Sequence, residues 1–415
     1  MAAPDMRTDA SVVIIGAGHA GGSAAAFLRQ FGWTGPIMLV GDEPMIPYQR
    51  PPLSKAWLKG EATAESLSLK PADFYEQASI DLRLATPALA IDRTARRVDL
   101  QNGDRLPYDH LVLALGSRSR KLPVAGAELG QVLELRTAAD ADRIKAALQP
   151  GRRLAIIGGG YIGLEVAASA RALGLDVTVI ERETRLLARV ASAELSRFYE
   201  RVHVAQGVEI LLGANVAALD GDARGAVAGV RLGDGRRIAC DVALVGVGAI
   251  ANDELARAAG LDCNDGIMVD AAARSSDLNI WAIGDCTRRP LPHYGRMARL
   301  ESVPNALEQA RVAAGVLCGR PLPAPEVPWF WSDQYDVKLQ MAGLPFDVAQ
   351  TVVRGDAEHG RFAIFHLDAA GAVRAVEAIN AAAEFMGGRM LIASRKPVDA
   401  GRLADPAIGM KELAG

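Results

Sequence analysis

The chain has 415 residues, half of them hydrophobic, and 46 Lys and Arg against 49 Asp and Glu give it a formal net charge of −3. This length exceeds what one hydrophobic core supports, so two or three domains are expected. The near balance of charge argues against a nucleic-acid or anionic membrane partner. The apolar runs are too short to span a membrane, and residues 1–5 lack the basic start of a signal peptide. We therefore expect a cytoplasmic protein.

A glycine-rich turn stands near the start of the chain, between two apolar runs. The first run, Val12 to Ile15, leads into three glycines with the spacing GxGxxG: Gly16, Gly18 and Gly21. A small-residue segment follows, then the second run, Ile37 to Val40, and Asp42. Strand, glycine turn, helix, strand and acid are typical of a dinucleotide site, where the pyrophosphate lies on the helix N-terminus and the acid binds a ribose hydroxyl.

The same pattern occurs a second time. Leu154 to Ile157 leads into Gly158, Gly160 and Gly163, and a second apolar run ends at Glu181. Two copies predict two bound dinucleotides, or else two Rossmann-like domains of which only one is used. Glu181 would accept a hydrogen bond from a 2′-hydroxyl and repel a 2′-phosphate, which favours NADH over NADPH. Arg182 and Arg185 lie close enough in sequence to weaken that preference.

A proline-rich stretch, residues 47–55, lies between the two repeats. Its prolines are expected to hold an extended backbone and to fix Arg50 and Lys55 as rigidly placed cations. Two cations after a phosphate-binding unit indicate a segment that faces a cofactor. The alternative is a proline-stiffened surface loop.

Three further apolar runs end at glycine and organise the rest of the chain. The runs ending at Gly116 and Gly248 bracket an inserted domain, and the third ends at Asp285, whose carboxylate could hold a polyol hydroxyl. After residue 325, alternating runs predict antiparallel strands and Ala381 to Ala393 predicts a helix. The predicted fold is α/β, with two Rossmann-like dinucleotide-binding domains and a C-terminal α+β domain. The predicted boundaries are 1–118 with 246–325 for the first domain, 119–245 for the second and 326–415 for the third.

The four cysteines form no CxxC pair and no metal-ligand spacing: Cys240, Cys263, Cys286 and Cys318. We expect them to be small buried residues. No metal site is predicted.

Several longer motifs together resemble one family. They are Arg50-Pro-Pro-Leu-Ser-Lys55, Gly158-Gly-Gly-Tyr-Ile-Gly-Leu-Glu165, Ile283-Gly-Asp-Cys286, Glu301-Ser-Val-Pro-Asn-Ala-Leu-Glu-Gln-Ala310 and Pro328-Trp-Phe-Trp-Ser-Asp-Gln-Tyr335. From about Ser11 to the C-terminal helix, the chain resembles the FAD-containing, NADH-dependent ferredoxin reductases that serve bacterial cytochrome P450 and Rieske oxygenase systems. The resemblance implies a glutathione-reductase-like arrangement of the two Rossmann-like domains.

The resemblance also implies site residues. For FAD these are Gly16, Gly18, Ala20 and Gly21 at the pyrophosphate, Asp42 at the adenosine ribose, Arg50 and Lys55 at the flavin and phosphates, Ala88 at the adenine, Arg136 near the pyrophosphate, Asp285 at the ribityl chain, and Val303 and Trp331 at the flavin ring. For NADH they are Gly158, Gly160, Tyr161, Ile162, Gly163 and Glu181, with Glu165, Gly248 and Glu301 beside the nicotinamide. The residues expected to act in catalysis are Lys55, Glu165 and Trp331.

The activity implied is that of a ferredoxin–NAD(+) reductase, in which NADH passes a hydride to the flavin and single electrons go to a [2Fe–2S] ferredoxin docked near Trp331. Lys55 would stabilise the negative charge that develops on the flavin. Candidates for a basic docking surface are Lys70, Arg296, Arg299, Arg311, Lys338 and Arg389, of which the resemblance supports Arg311 most and Arg389 least. Leu115 and Ala251 replace a threonine and a proline frequent in the family, so we expect shifted affinity and the same reaction.

Three alternatives share parts of this pattern. A flavin disulfide reductase or peroxidase needs a redox cysteine beside the flavin, where this chain has Ser54 and Lys55. A signalling flavoprotein resembling apoptosis-inducing factor is expected to carry a targeting segment and extra basic surface. A rubredoxin reductase differs only in its electron acceptor and stays open.

Overall fold

The structure is a computed structural model that describes residues 7–414, so the expectation for residues 1–5 lies outside it. The strands are β1 (Val12–Ile15), β2 (Ile37–Val40), β3 (Ile80–Arg83), β4 (Ala88–Asp92), β5 (Arg97–Leu100), β6 (Arg105–Pro107), β7 (His110–Leu113), β8 (Ser117–Ser119), β9 (Val132–Leu133), β10 (Arg153–Ile157), β11 (Asp176–Ile180), β12 (Val208–Leu211), β13 (Val216–Gly221), β14 (Val227–Leu232), β15 (Arg237–Ala239), β16 (Val242–Val245), β17 (Ala249–Ala251), β18 (Ile267–Met268), β19 (Ile280–Ala282), β20 (Thr287–Leu291), β21 (Arg296–Arg299), β22 (Trp329–Gln334), β23 (Val337–Gly343), β24 (Gln350–Asp356), β25 (Arg361–Leu367) and β26 (Val373–Ile379).

The helices are α1 (His19–Gln30), α2 (Ala56–Lys59), α3 (Ala64–Leu67), α4 (Ala72–Gln77), α5 (Ala138–Ala147), α6 (Tyr161–Ala172), α7 (Ala193–Ala205), α8 (Glu254–Ala258), α9 (Val303–Leu317), α10 (Ala382–Ser394), α11 (Ala400–Ala404) and α12 (Met410–Ala414), with 3₁₀ turns at Pro51–Ser54 and Gly284–Cys286. Within residues 7–414, no helix has the length and apolar content needed to cross a membrane.

The first of two compact units contains residues 7–49, Ala64–Arg118 and Ile250–Pro328. Its central parallel sheet has the order β19-β7-β1-β2-β3, with Val12 paired to both Ile37 and His110. The central strands are buried on both faces, which is why they appear in the sequence as unbroken apolar runs. Helices α1 and α9 pack on one face through small residues such as Ala24 and Ala310.

The second unit contains Arg50–Thr63, Ser119–Ala249 and residues 329–414. One part is a parallel sheet of order β12-β11-β10-β16-β9, whose register pairs Leu154 with Val177 and with Val242. The other part is an antiparallel sheet of order β22-β23-β26-β25-β24, covered by α10. Gly388 lets α10 approach β26, because a Cβ there would lie 2.5 Å from a Val376 methyl. The predicted α/β fold with a C-terminal α+β region is confirmed.

A buried cation holds the end of the chain against the antiparallel sheet. Arg354 of β24 is only 3% exposed, and its guanidinium donates to the carbonyl oxygens of Leu403, Asp405 and Ile408 at 3.2, 2.5 and 2.7 Å. A buried guanidinium needs hydrogen-bond acceptors, and by taking them from residues 403–408 this side chain stabilises the path of that segment.

The prediction of an extended backbone in the proline-rich stretch is wrong for residues 51–54, although Tyr48 pairs with Ser68 in an antiparallel bridge. Pro51–Ser54 form a 3₁₀ turn that runs into α2. The proline ring fixes φ near −65°, which suits the first turn of a helix as well as an extended chain, and its missing N–H is not needed there. Local proline content therefore could not decide between the two.

Candidate functional site

The first glycine turn joins β1 to α1 in the first unit and has no room for side chains. Gly16 has φ +108°, and a Cβ there would lie 2.2 Å from the carbonyl oxygen of Ala114. A Cβ on Gly21 would lie 1.9 Å from the carbonyl oxygen of Gly16. Helix α1 begins after Gly18 with no capping side chain and no acid in its first turn. Its N-terminal N–H groups and dipole fit the FAD pyrophosphate predicted for this turn.

The other predicted FAD residues of this unit stand at the ends of strands or helices. Asp42 is exposed directly after β2, and Ala88 begins β4. Val303 opens α9, whose cap is the Ser302 hydroxyl, which accepts a hydrogen bond from the Asn305 N–H. The contacts of Asp42, Ala88 and Val303 with FAD stay predictions.

Asp285 lies in the 3₁₀ turn after β19 and accepts a hydrogen bond of 3.0 Å from the Ser117 hydroxyl. Ser117 thus supplies this carboxylate with a hydroxyl donor two residues after Leu115. The fixed carboxylate fits a ligand hydroxyl such as those of a ribityl chain.

Gln309, a residue that the sequence analysis missed, forms hydrogen bonds with the same turn. Its side-chain oxygen accepts hydrogen bonds from the Gly284 N–H and the Thr287 hydroxyl, at 2.8 and 2.9 Å. It is 1% exposed on α9, among small residues. One buried glutamine adds nothing to the hydrophobic periodicity of a helix, so the sequence pattern does not single it out. These two partners are more than twenty residues away in sequence, so only the fold reveals the contacts.

The second glycine turn joins β10 to α6 and repeats the geometry of the first. Gly158 has φ +109°, and a Cβ there would lie 2.4 Å from the carbonyl oxygen of Gly246. A Cβ on Gly163 would lie 2.5 Å from the carbonyl oxygen of Gly158. At Gly160, by contrast, a Cβ would meet no described atom within 4 Å, and α6 starts there with no side-chain cap. The open space above an uncapped helix end fits a second pyrophosphate.

Glu181 is fixed against this turn. Its carboxylate accepts hydrogen bonds from the N–H groups of Gly159 and Glu183, at 2.7 and 2.8 Å. Arg185 donates to the Ala188 carbonyl and to the Ser196 hydroxyl, both at 2.7 Å, so its charge is engaged close to its own loop. The geometry therefore retains an acid at the ribose position expected for NADH.

The other residues predicted to bind NADH, in the second glycine turn and beside the nicotinamide, differ in what their side chains do. The Tyr161 ring lies 4.8 Å from that of Phe330, and its hydroxyl donates to the Met341 sulfur at 2.9 Å. Ile162 is 49% exposed at the start of α6. Gly248 has φ +112°, a conformation that favours glycine. In the first unit, Glu301 forms an ion pair with Arg299.

Lys55 and Glu165, 110 residues apart in sequence, form a buried ion pair. The Lys55 Nζ atom lies 2.6 Å from Glu165 Oε2, with side-chain exposures of 20% and 7%. Two hydroxyl groups complete the site, because Ser54 donates to Oε2 at 2.5 Å and Ser332 donates to Oε1 at 2.7 Å. A cation fixed in this way is suited to stabilise negative charge that develops on a bound group. Ser54 and Ser332 were missed by the sequence analysis.

Three other predicted flavin residues also lie in this second unit. Arg50 donates to the carbonyl oxygen of Arg136 at 2.5 Å, so the structure brings these two predicted residues together. Trp331 is half-buried on β22, its ring 5.5 Å from that of Trp329. The Arg389 guanidinium lies 5.8 Å from the Trp329 ring, within reach of a cation–π contact.

Two of the candidate docking cations are paired within the first unit. Arg311 forms an ion pair with Glu326, and Arg299 lies 3.4 Å from Asp265 in addition to its pair with Glu301. An ion pair lowers the net positive charge that each presents. Their role in docking stays a prediction.

The cysteines are free thiols in environments that suppress reactivity. Burial raises the pKa of Cys286 to about 12 and that of Cys240 to about 11, and it also raises the pKa values of Cys263 and Cys318. Thiolates are the reactive form, so these positions do not suit a redox cysteine. The disulfide reductase alternative is correspondingly weakened.

Nearly the whole chain matches known proteins. Residues 10–310 match the pyridine nucleotide-disulphide oxidoreductase family, and residues 329–414 match the reductase C-terminal family. The chain is 49% identical over 410 residues to a probable ferredoxin reductase of Castellaniella defragrans, covering 99% of this chain and 100% of the relative. It is 43% identical to the ferredoxin–NAD(+) reductase component of the anthranilate 1,2-dioxygenase system of Burkholderia cepacia, covering 96% and 98%.

Among solved structures, the covalent putidaredoxin reductase–putidaredoxin complex contains a chain that is 42% identical to this one. It superposes with a TM-score of 0.95 over 98% of both chains. The predicted resemblance is thereby confirmed. The chain belongs to the pyridine nucleotide-disulphide oxidoreductase family, within its group of ferredoxin reductases.

Proposed function

We propose that this chain is an FAD-dependent reductase that oxidises NADH and reduces a [2Fe–2S] ferredoxin. The observation that carries the proposal is the pair of glycine turns, one in each compact unit, each leading to a helix N-terminus without a capping side chain. Two such turns match two different dinucleotides in one chain. The names of the relatives, which are ferredoxin reductases, support the identity of the acceptor.

Bound FAD would supply the chemistry that no side chain has, accepting two electrons from NADH and releasing them one at a time. The chain's own residues bind and orient. Gly16 and Gly158 open the two phosphate sites, Asp285 holds a ligand hydroxyl, and Glu181 selects the unphosphorylated ribose. Lys55, fixed by Glu165, supplies a positive charge where negative charge develops.

The remaining site assignments are part of the same proposal. We infer contacts to FAD for Gly18, Ala20, Gly21, Asp42, Arg50, Ala88, Arg136, Val303 and Trp331, and contacts to NADH for Gly160, Tyr161, Ile162, Gly163, Gly248 and Glu301. We also infer an FAD-binding domain of residues 1–118 and 246–325, an NADH-binding domain of residues 119–245 and a third domain of residues 326–415. The proposed compartment is the cytoplasm.

The proposed partner is a small acidic ferredoxin that feeds a cytochrome P450 or a Rieske oxygenase. One relative is a component of a dioxygenase system, and one solved relative was crystallised joined to putidaredoxin. Trp331 on β22 is the proposed exit for electrons because its ring is half-buried and lies beside that of Trp329. Rubredoxin is the alternative acceptor.

The test is steady-state reduction of a [2Fe–2S] ferredoxin by the purified protein, with NADH and NADPH in parallel and rubredoxin as the second acceptor. We expect fast ferredoxin reduction with NADH and slow reduction with NADPH. Transfer to rubredoxin alone would reject the proposed partner and keep the cofactors, whereas a purified protein that binds no flavin would reject the whole proposal.

The coenzyme preference has its own variant. Glu181→Gln keeps the shape of the side chain and removes the charge that repels a 2′-phosphate, so we expect the ratio of kcat/KM for NADPH over NADH to rise about tenfold. Glu209→Gln, on the neighbouring strand β12, is the control, because its carboxylate accepts a hydrogen bond from the Thr178 hydroxyl and not from the glycine turn. An unchanged ratio in Glu181→Gln would contradict this role.

A further inference from the structure

Strand β22 presents two different faces, and the inner face leads to the Lys55–Glu165 pair. Side chains alternate along a strand, so Ser332 and Gln334 point to one side while Trp331 and Asp333 point to the other. Ser332 and Gln334 are 0% and 1% exposed. Two fully buried polar side chains at alternate positions require partners inside the protein.

Their partners form one continuous chain of hydrogen bonds. Ser332 Oγ lies 2.7 Å from Glu165 Oε1, and Gln334 Nε2 lies 3.2 Å from Ser332 Oγ. Gln334 Oε1 then lies 2.8 Å from Nε2 of His203, which is 0% exposed on α7. Nδ1 of His203 lies 3.3 Å from the hydroxyl of Tyr335, a half-buried residue. The side chains of Ser332, Gln334 and His203 thus connect the buried Glu165 carboxylate to the half-buried Tyr335 hydroxyl.

The carboxylate determines the direction of every bond in this chain. A carboxylate only accepts, so the Ser332 hydroxyl must donate to Glu165 and accept from Gln334. The Gln334 amide then uses its NH₂ group toward Ser332 and its oxygen toward His203. His203 must therefore carry its proton on Nε2, and Tyr335 donates to the bare Nδ1. Burial lowers the pKa of His203, which agrees with a neutral ring.

The same carboxylate holds Lys55 from the other side. The Lys55 Nζ atom contacts Glu165 Oε2 at 2.6 Å, the Pro51 carbonyl oxygen at 3.2 Å and the Ser54 hydroxyl at 3.4 Å. Rotation of the Glu165 carboxylate would break the contact at Oε2 and the contact at Oε1 together. A donor that fixes Oε1 therefore also fixes the position of the Lys55 ammonium.

We propose that Ser332, Gln334 and His203 are positioning residues for the reductase reaction, which orient Glu165 through a one-directional hydrogen-bond chain and thereby fix Lys55. The proposal rests on the proposed function in one respect, namely that Lys55 acts in the reductase reaction. Ser332 and Gln334 share β22 with Trp331, so one strand carries both the proposed electron exit and the support of the charge pair.

The first test determines the direction of the chain without measuring activity. His-specific ¹⁵N labelling of the flavin-loaded protein, with His203→Gln used to assign the signal among the six histidines, reports which ring nitrogen is protonated. We expect a neutral ring with its proton on Nε2. A proton on Nδ1 would reverse the direction of the chain and overturn the proposal.

The second test separates positioning from packing. In Ser332→Ala and Gln334→Leu, we expect kcat for NADH-dependent ferricyanide reduction to fall about tenfold while the KM for NADH stays within about twofold. Ser332→Ala removes the hydrogen bond to the Glu165 carboxylate, and Gln334→Leu removes the donor that orients the Ser332 hydroxyl. Ser332→Thr keeps a hydroxyl and is expected to restore most of kcat. His366→Gln is the control, since this polar residue is buried on β25 of the same antiparallel sheet and its ring lies 3.6 Å from Glu377, apart from the hydrogen-bond chain.

Three outcomes would overturn the proposal: unchanged kcat in both chain variants, an equal loss in the His366→Gln control, or no recovery in Ser332→Thr in a protein of wild-type flavin content and melting temperature. Ferricyanide accepts electrons without a protein docking site, so failure to reduce a ferredoxin leaves this test intact. A loss of the proposed partner and a loss of the positioning chain are therefore distinguishable.

Discussion

Removing the charge of Glu165 is the sharpest perturbation of the buried pair. Glu165→Gln keeps the size and planarity of the side chain and an acceptor oxygen for Ser332. It leaves the Lys55 ammonium, whose side chain is 20% exposed, without its counter-charge. A buried charge without a partner is costly, so the effect should appear as lower stability of the second unit.

The geometry sets the magnitude. Two unit charges about 4 Å apart interact by about 4 kcal/mol at an effective dielectric constant of about 20, and the Nζ–Oε2 distance of 2.6 Å is shorter. Water at the exposed part of Lys55 screens the pair and solvates the orphaned cation. Loss of one partner of a fully buried pair costs about 3 to 5 kcal/mol, so we expect about 2 to 3 kcal/mol here.

The assay is hydrogen exchange of the wild type, Glu165→Gln, Lys55→Met and the double variant, all as apo-proteins. Mass spectrometry of peptides from α6 and β22 reports the opening free energy of the unit without requiring two-state unfolding of the whole chain. We expect the two single changes to couple, with the double variant more stable than the sum of their effects predicts by about 2 kcal/mol.

Additivity would refute the reasoning. If the two single effects simply summed, the 2.6 Å contact would contribute no interaction energy, and Lys55 could not be fixed by Glu165. A Glu165→Gln protein as protected as the wild type would lead to the same conclusion.

Three further predictions concern single residues. Gly160→Ala should melt like the wild type, because the added methyl would meet no described atom within 4 Å, yet titration should show NADH binding at least about tenfold weaker, since that methyl occupies the proposed phosphate space. Arg354→Lys replaces a planar donor set by one ammonium and should lower stability by about 2 kcal/mol, with faster proteolysis after residue 395 than in the control Arg361→Lys. The lowered pKa of His203 means that, below about pH 6.5, the unfolded chain binds a proton that the folded protein does not bind. The free energy of unfolding is therefore fully retained above about pH 6.5 and falls as the pH drops below it, by up to about 1.4 kcal/mol per pH unit. Urea titrations between pH 5 and 8 should show that the free energy of unfolding depends less steeply on pH in His203→Gln than in the wild type.

The local patterns in the sequence were sufficient for the phosphate-binding turns. Glycine at Gly16 and Gly158 is imposed by a positive φ and by a carbonyl oxygen close to the Cβ position, and the spacing of the glycines shows this within one strand–turn–helix unit. The alternation after residue 325 likewise predicted antiparallel strands, because a half-buried strand needs only its own period of two.

Contacts between distant segments could not be predicted in this way. Ser54 and Ser332 meet at Glu165 from positions 111 and 167 residues away in sequence, and His203 lies on a helix where a histidine is compatible with either core or surface. The prediction of an extended backbone in the proline-rich stretch failed for the opposite reason. Its local preference fits two conformations, and the choice between them comes from packing that the sequence does not display.

Strand β22 shows why the support of the charge pair and the proposed electron exit cannot vary independently. Its register against β23 pairs Trp331 with Gln340 and Ser332 with Leu339. A shift of one residue would turn Trp331 inward and Ser332 outward at the same time, because side-chain direction alternates with a period of two. The register is held by the buried partners of the inner face, among them Glu165 and His203. The hydrogen-bond chain that orients Glu165 therefore also keeps Trp331 on the outer face of the strand.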